Sequence, residues 1–204
     1  MSNIDYRKYY HREQYLFDEV RGRFEKAKTL SAFDFFSIVI WKANRAKSKV
    51  AERLLSKGHD DLDQAVAALT SAVAKAQDHK TRMRVLVADW RLRLPMASAI
   101  LTVLYPTAFT VYDVRVCDVL GNFHNTQYRT NFDVLWSEYQ TYVEAVRKAV
   151  PEIDDLRDKD RWLWGKSFWE QLNEDISAKF KKERRKMKQR HNKSLQRTFL
   201  SSRR

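Results

Sequence analysis

An all-α fold is predicted for this chain of 204 residues, because turn-forming residues are scarce and apolar residues recur at helical spacing. Only 4 Gly and 3 Pro occur, whereas a β-sandwich or barrel needs many turns that carry these residues. With 44% hydrophobic and 32% charged residues, the chain can bury a sizeable core, which excludes a collagen-like or fully disordered protein. We therefore expect a single multi-helix domain.

The first predicted core helix begins at Ser31, whose hydroxyl suits an N-cap, and stops before Gly58. The apolar residues at helical spacing in this helix are Phe33, Phe36, Ile40, Val50 and Leu54. A second helix is predicted from Asp60 or Asp61 to Ala76, because acidic residues suit a helix N-terminus. Residues 79–90 form a third, short helix.

The second half of the chain predicts four further helices. Pro95 suits the first turn of one that ends before Pro106, and Asp113 stands at the N-cap position of the next, which Gly121 ends. Two amphipathic helices follow, at residues 131–150 and roughly 158–188. The last contains an aromatic cluster, which consists of Trp162, Leu163, Trp164, Phe168 and Trp169. Helical spacing predicts that this cluster belongs to the core, and the alternative is a surface that stacks bases, as in single-strand-binding proteins.

Most of the positive charge lies at one end of the chain. Residues 178–204 hold 12 Lys or Arg and one acidic residue, a net charge of +11, whereas residues 1–177 have a net charge of +2. We predict a helical domain over residues 1–177 and a basic tail over 178–204, helical at its start and then disordered. Its charge favours nucleic acid, DNA or RNA, as the partner; a solubilising tail and an anionic membrane surface are alternatives.

Several classes of protein are excluded by residues that the chain lacks. One cysteine, Cys117, forms no internal disulfide, and five scattered histidines with it do not predict a structural zinc site. Four isolated glycines make no phosphate-binding loop. No apolar signal core or stretch of about 18 apolar residues occurs. We expect a cytoplasmic protein without metal or cofactor.

The stretch at residues 90–120, WRLRLPMASAILTVLYPTAFTVYDVRVCDVL, contains a helix of small residues, a short link and an acidic residue that heads the next helix. It resembles the helix-hairpin-helix superfamily of base-excision DNA glycosylases, in which an LPGVG hairpin leads into an Ala-rich helix and a catalytic Asp follows. The run from Ala97 to Asp113 matches the spacing of the adenine-glycosylase branch without a gap. The resemblance covers about residues 31–121 and implies that Asp113 is the catalytic carboxylate.

An upstream stretch, FDFFSIVIWKANR, resembles the early helix of the same superfamily, whose end lies near the target base and the DNA strand. The resemblance implies that Trp41 lines the base pocket and that Lys42, Asn44 and Arg45 contact DNA.

Two departures from the superfamily pattern shape the expected chemistry. Arg91 and Arg93 stand where the hairpin has glycines, so their side chains would contact phosphate in place of a backbone nest. Pro95 stands where strand-cleaving members carry a Lys, so the resemblance implies hydrolysis of the N-glycosidic bond of a flipped base without lyase chemistry. No iron-sulfur cysteines follow. Arg115 would bind phosphate beside Asp113, or form a surface salt bridge.

A different class of function is also compatible with these residues. Asp113 would then be an ordinary helix N-cap, and the protein a non-catalytic helical scaffold that binds nucleic acid or another protein.

Overall fold

The computed structural model describes residues 7–179, and every regular element in that range is helical, which confirms the all-α prediction. The α-helices are α1 (Arg7–Tyr10), α2 (Arg12–Gln14), α3 (Arg21–Ala27), α4 (Ala32–Ala43), α5 (Lys47–Leu55), α6 (Leu62–Lys75), α7 (His79–Arg84), α8 (Leu94–Leu104), α9 (Val114–Leu120), α10 (Phe132–Ala149) and α11 (Leu156–Glu174). They pack around one hydrophobic core and form one compact domain. The basic tail lies outside the described residues, except for residues 178 and 179.

The predicted helix starts are confirmed by side-chain caps. The Ser31 hydroxyl accepts the backbone N–H of Asp34 at 3.2 Å, and the Asp61 carboxylate accepts that of Gln64 at 2.8 Å. Asp113 caps α9, which ends where Gly121 adopts a φ of +67°. These caps satisfy backbone N–H groups that the first helical turn leaves without partners.

The prediction of one continuous helix between Ser31 and Gly58 is wrong. The helix α4 ends at Ala43, a 3₁₀ turn (Asn44–Ala46) follows, and α5 begins at Lys47. From residue 42 to residue 49 the sequence has no large apolar side chain, so core packing does not hold a continuous helix there. The break leaves Trp41 and Lys42 at the C-terminal end of α4.

The buried face of α4 also differs from the prediction at its first turn. Phe33 is 59% exposed, whereas Phe35, Ile38 and Val39 are fully buried. The carboxylate of Asp34 explains the difference, because it is drawn inward by two hydrogen bonds from Arg23, at 2.8 and 2.9 Å.

Arg23 belongs to a helical run at residues 12–27 that the sequence analysis did not predict. The run consists of α2, a π-helical segment (Tyr15–Val20) and α3. Leu16, Val20 and Phe24 point into the core from it. Their spacing of four residues is a helical signal, although the many charged residues between them obscure it.

The helix α8 occupies the centre of the domain and is buried at every position from Met96 to Leu104. It packs against α4, and its small residues Ala97, Ser98 and Ala99 permit close approach of neighbouring helices. In the part of the chain that is described, no helix combines the length and the apolar composition that crossing a bilayer demands.

Candidate functional site

Asp113 is reached from α8 through an extended link, residues 109–112, whose backbone bonds to side chains of the core. The Tyr139 hydroxyl donates to the carbonyl oxygen of Thr110 at 2.6 Å and accepts its N–H at 3.2 Å. The Tyr142 hydroxyl donates to the carbonyl oxygen of Val111 at 2.8 Å. Buried backbone groups need such partners, so the two tyrosines of α10 fix the course of the link.

The next residue of the link is held from the other side. The Ser98 hydroxyl of α8 accepts the backbone N–H of Tyr112 at 2.9 Å. The position of Asp113 is therefore set by hydrogen bonds from two helices of the core.

The carboxylate of Asp113 makes two contacts with different consequences. One oxygen accepts the backbone N–H of Arg115 at 3.0 Å and caps α9. The other lies 2.6 Å from Nζ of Lys42, which also donates to the carbonyl oxygen of Tyr112 at 3.3 Å. Asp113 is thus both an N-cap and half of a partly buried ion pair, and the two interpretations of this residue do not exclude each other.

The Lys42–Asp113 pair lies in the wall of a cavity of about 360 Å³. The residues that line it are Glu13, Trp41, Lys42, Val111, Asp113, Arg157, Asp160, Arg161 and Trp164. Two indole rings, three carboxylates and three cations thus face one space. Charged side chains therefore dominate the lining, and the two indole rings supply its flat apolar surface.

One side of this cavity is an ion-pair network between the N-terminal helical run and α11. Glu13 accepts hydrogen bonds from Arg157 at 2.7 Å and from Arg161 at 3.0 Å. Burial alone would raise the pKa of Glu13, but these two arginines hold it below its usual value. The Arg157 guanidinium also lies 5.2 Å from the centre of the Trp41 ring.

The second carboxylate of this network is Asp160, which is 2% exposed and bonded to Arg157. Burial raises the pKa of Asp160 to about 6; Arg157 and Lys42 lower it, and the charge of Asp113 raises it further. Asp160 and Asp113 therefore differ in burial and in their cationic partners although they line the same cavity.

Replacing Asp160 by Asn should change how stability depends on pH. The folded chain binds the proton of Asp160 more tightly than the unfolded chain does, because the pKa of this group is raised on folding. The contribution of Asp160 to the free energy of unfolding therefore falls by roughly 2–3 kcal/mol as the pH rises from about 4 to about 6. Urea unfolding at pH 4, 5, 6 and 7.5 should show that Asp160→Asn removes this part of the decline. Glu170→Gln, on the exposed side of α11, should leave the slope unchanged. Identical slopes for the wild type and Asp160→Asn would contradict the expectation.

Arg91 and Arg93 lie outside the cavity. Arg91 adopts a φ of +54°, a left-handed conformation that favours glycine, and its carbonyl oxygen accepts a hydrogen bond from Arg53 at 3.1 Å. A separate groove of about 200 Å³ is lined by Arg53, Ser56, Lys57, Trp90 and Arg91. Its lining contains three cations and no carboxylate, which suits an anion such as phosphate. Arg93 is exposed and does not line this groove.

Arg115 lies against α11 rather than beside an anion. It donates to the side-chain oxygen of Gln171 at 2.7 Å, and its guanidinium lies 5.3 Å from the Trp164 ring and 6.0 Å from the Phe168 ring. The surface salt bridge considered for this residue is not formed with any carboxylate of residues 7–179.

The remaining predicted residues divide into two groups. Trp41 and Lys42 line the cavity with Asp113. Asn44 and Arg45 lie in the exposed 3₁₀ turn after α4 and do not line it; Asn44 accepts a hydrogen bond from Lys47 at 3.2 Å.

The prediction that the aromatic cluster of α11 belongs to the core is wrong for four of its five members. Leu163 is buried, whereas Trp162, Trp164, Phe168 and Trp169 are exposed. The buried stripe of this helix includes the polar residues Lys159 and Ser167, and large apolar residues also lie on its exposed side. The spacing of apolar residues therefore does not identify which side of the helix is buried.

Sequence reasoning missed Glu13, Arg157 and Asp160. On α11, Arg157, Asp160 and Arg161 lie on one face of the helix at i, i+3 and i+4, which is a usable signal for a shared surface. Nothing local predicts that Glu13, some 144 residues away, joins them.

The helix that Asp113 caps also contains Cys117, which is fully buried. Burial raises the pKa of its thiol to about 11. Across residues 7–179, no group of three or more His, Cys, Asp or Glu side chains is arranged to hold a metal ion.

Comparisons of the chain with protein-family models, with curated proteins and with solved structures gave no match.

Proposed function

We propose that this protein binds DNA and hydrolyses the N-glycosidic bond of a base that is flipped into the cavity beside Asp113. The observation that carries the proposal is the Asp113 carboxylate in the wall of a cavity that also presents the rings of Trp41 and Trp164. An enzyme acting on a base must take it out of the stack and read it by stacking and hydrogen bonds.

Each group of the cavity has a distinct part in this reaction. As the base departs, positive charge develops on the sugar, and the Asp113 carboxylate stabilises that charge and orients water. Lys42 and the Arg115 N–H hold the carboxylate in position. The leaving base needs a proton, which Asp160 in the wall of the same cavity would donate in its protonated form, and the proton lost by the attacking water would pass to the Asp113 carboxylate.

Contacts outside the cavity would hold the DNA strand. The groove of Arg53, Lys57 and Arg91 is suited to a backbone phosphate, and the net charge of +11 in residues 178–204 would add affinity that is independent of sequence.

The direct test is incubation of the full chain with labelled duplex and single-stranded oligonucleotides that carry damaged, mismatched or modified bases. Hot alkali then converts any abasic site into a strand break. Cleavage at one kind of base supports the proposal and names the substrate. Binding of these oligonucleotides without any abasic product overturns the hydrolytic part.

Replacing Arg91 by Gly should separate its backbone role from its charge. Glycine adopts a φ of +54° without strain, so the stability should change by no more than about 1 kcal/mol. If the side chain contacts a phosphate, the slope of log affinity against log salt should fall by about 1. Lys28 is a matched control, because it is also a cation with positive φ, +58°, and Lys28→Gly should leave the slope unchanged. Equal slopes for both variants would contradict a phosphate contact at Arg91.

The second candidate function is nucleic-acid binding without hydrolysis. The observation that favours it is the 2.6 Å distance between Nζ of Lys42 and the Asp113 carboxylate. A cation this close offsets the negative charge of Asp113 and weakens its ability to stabilise positive charge on a sugar. The oligonucleotide panel separates the two candidates, since only the first produces abasic sites.

A further inference from the structure

The helix α11 and the π-helical segment that follows it (Asp175–Lys179) present an apolar face to solvent on the side opposite the buried stripe of α11. This exposed face is formed by Trp162, Trp164, Phe168, Trp169, Leu172 and Ile176. Trp169 is 66% exposed and Phe168 is 47% exposed. Isolated exposed apolar residues are normal, but a continuous group of large aromatic side chains marks an interaction surface.

Two rings of this face form a parallel pair that carries a cation. The rings of Trp164 and Phe168 are 5.8 Å apart between centroids with an interplanar angle of 5°. The Arg115 guanidinium lies beside both rings, bonded only to the neutral amide of Gln171 among the described groups. Its charge is therefore not offset by a carboxylate of the described chain, and an incoming anion would supply the missing partner.

Gly165 lies between the aromatic residues on the same side of the helix. Trp162, Phe168 and Trp169 stand three or four residues from it, which brings them around one point of the helix surface. A Cβ at Gly165 would meet no atom within 4 Å, so the surface of the helix is open at this position. Glycine inside a helix costs about 0.5–1 kcal/mol relative to alanine.

The face begins at the cavity and is followed in the sequence by the basic tail. Trp164 lines the cavity as well as pairing with Phe168. Residues 178–204, which follow the helix directly, have a net charge of +11. Aromatic rings with cations beside them and a strongly basic neighbouring segment form the combination that binds single-stranded nucleic acid, since bases stack on the rings and phosphates pair with the cations.

We infer that the exposed face of α11, with Arg115, binds single-stranded DNA by stacking unpaired bases on Phe168 and Trp169 and placing a phosphate at Arg115. This inference shares DNA as the partner with the proposed function but does not depend on hydrolysis at Asp113. The unpaired bases would be those next to the base in the cavity.

The test measures binding of the full chain to a fluorescently labelled oligo(dT) by anisotropy, with quenching of tryptophan fluorescence as a second readout. A salt concentration of about 200 mM weakens the contribution of the tail's charge. Phe168→Ala and Trp169→Ala should each reduce affinity by about 5-fold to 100-fold, the range found when a stacking ring is removed. Arg115→Gln should reduce affinity and lower the salt slope by about 1.

Two variants act as matched comparisons. Tyr128→Ala removes a ring that is 68% exposed on another part of the surface and should leave affinity unchanged. Gly165→Ala should raise the free energy of unfolding and yet weaken binding, because the added methyl group would stand between the aromatic residues that surround this position on the helix.

Unchanged oligo(dT) affinity in both Phe168→Ala and Trp169→Ala would overturn the inference. Sedimentation measured in parallel would then reveal whether the same substitutions dissociate a dimer, which would make the face a protein interface. Asp113→Asn should keep the oligo(dT) affinity, so the loss of hydrolysis and the loss of this surface are distinguishable.

Discussion

Replacing Asp113 by Asn is expected to slow abasic-site formation by about 10²-fold to 10⁴-fold, while DNA affinity stays within a few-fold of the wild type. Asparagine keeps the capping oxygen, so the N–H of Arg115 retains its acceptor and α9 still begins at the same residue. What the substitution removes is the negative charge that, in the proposed reaction, stabilises the positive charge on the sugar as the base departs. Single-turnover rates on the substrate identified by the oligonucleotide panel would measure the effect.

The matched control for this substitution is Asp61→Asn. Asp61 caps α6 through the N–H of Gln64, as Asp113 caps α9, but it does not line the cavity. Its replacement should leave the rate unchanged. If the Asp61→Asn variant were equally slow, or the Asp113→Asn variant as fast as the wild type, the Asp113 carboxylate would have no role beyond capping α9. Thermal unfolding of both variants would exclude loss of the fold as the cause.

Replacing Tyr139 by Phe is expected to lower the free energy of unfolding by about 2–4 kcal/mol. The ring would still fill its place in the core, but the N–H and the carbonyl oxygen of Thr110 would both lose their partner. An unsatisfied buried polar group costs about 1–3 kcal/mol. Urea unfolding would measure the loss.

Tyr142→Phe provides the internal comparison, because it removes a single hydrogen bond, to the carbonyl oxygen of Val111. Its cost should be about half that of Tyr139→Phe. If hydrolysis depends on the position of Asp113, both variants should also be slower at temperatures at which they remain folded. Equal stability of Tyr139→Phe and the wild type would show that water or another group satisfies Thr110.

The helices of this protein were largely predictable, because their ends carry local signals. Ser31, Asp61 and Asp113 were predicted as caps and act as caps, since a cap involves only residues within one turn. The break after α4 was not predicted, because a polar run permits a helix without requiring one. Deciding between the two faces of α11 required knowledge of what packs on it.

The candidate site was only partly predictable. Two separate stretches of sequence led to Trp41 and Lys42 and to Asp113, and these residues line one cavity. Asp160 and Glu13 were not predicted, because burial and charged partners distant in the sequence, rather than any local pattern, bring them into the cavity wall. Contacts of this kind have no local signature.

The rate at which Cys117 reacts with a thiol reagent can report local opening of the structure. Thiol reagents attack the thiolate, and this thiol is buried and has a pKa raised to about 11, so labelling requires α9 to leave the core first. Because the chain has one cysteine, the labelling rate of the native protein reports how often the wall that carries Asp113 opens. A compound that fills the cavity should lower the labelling rate of Cys117, so binding at the cavity can be detected without an assay of any reaction.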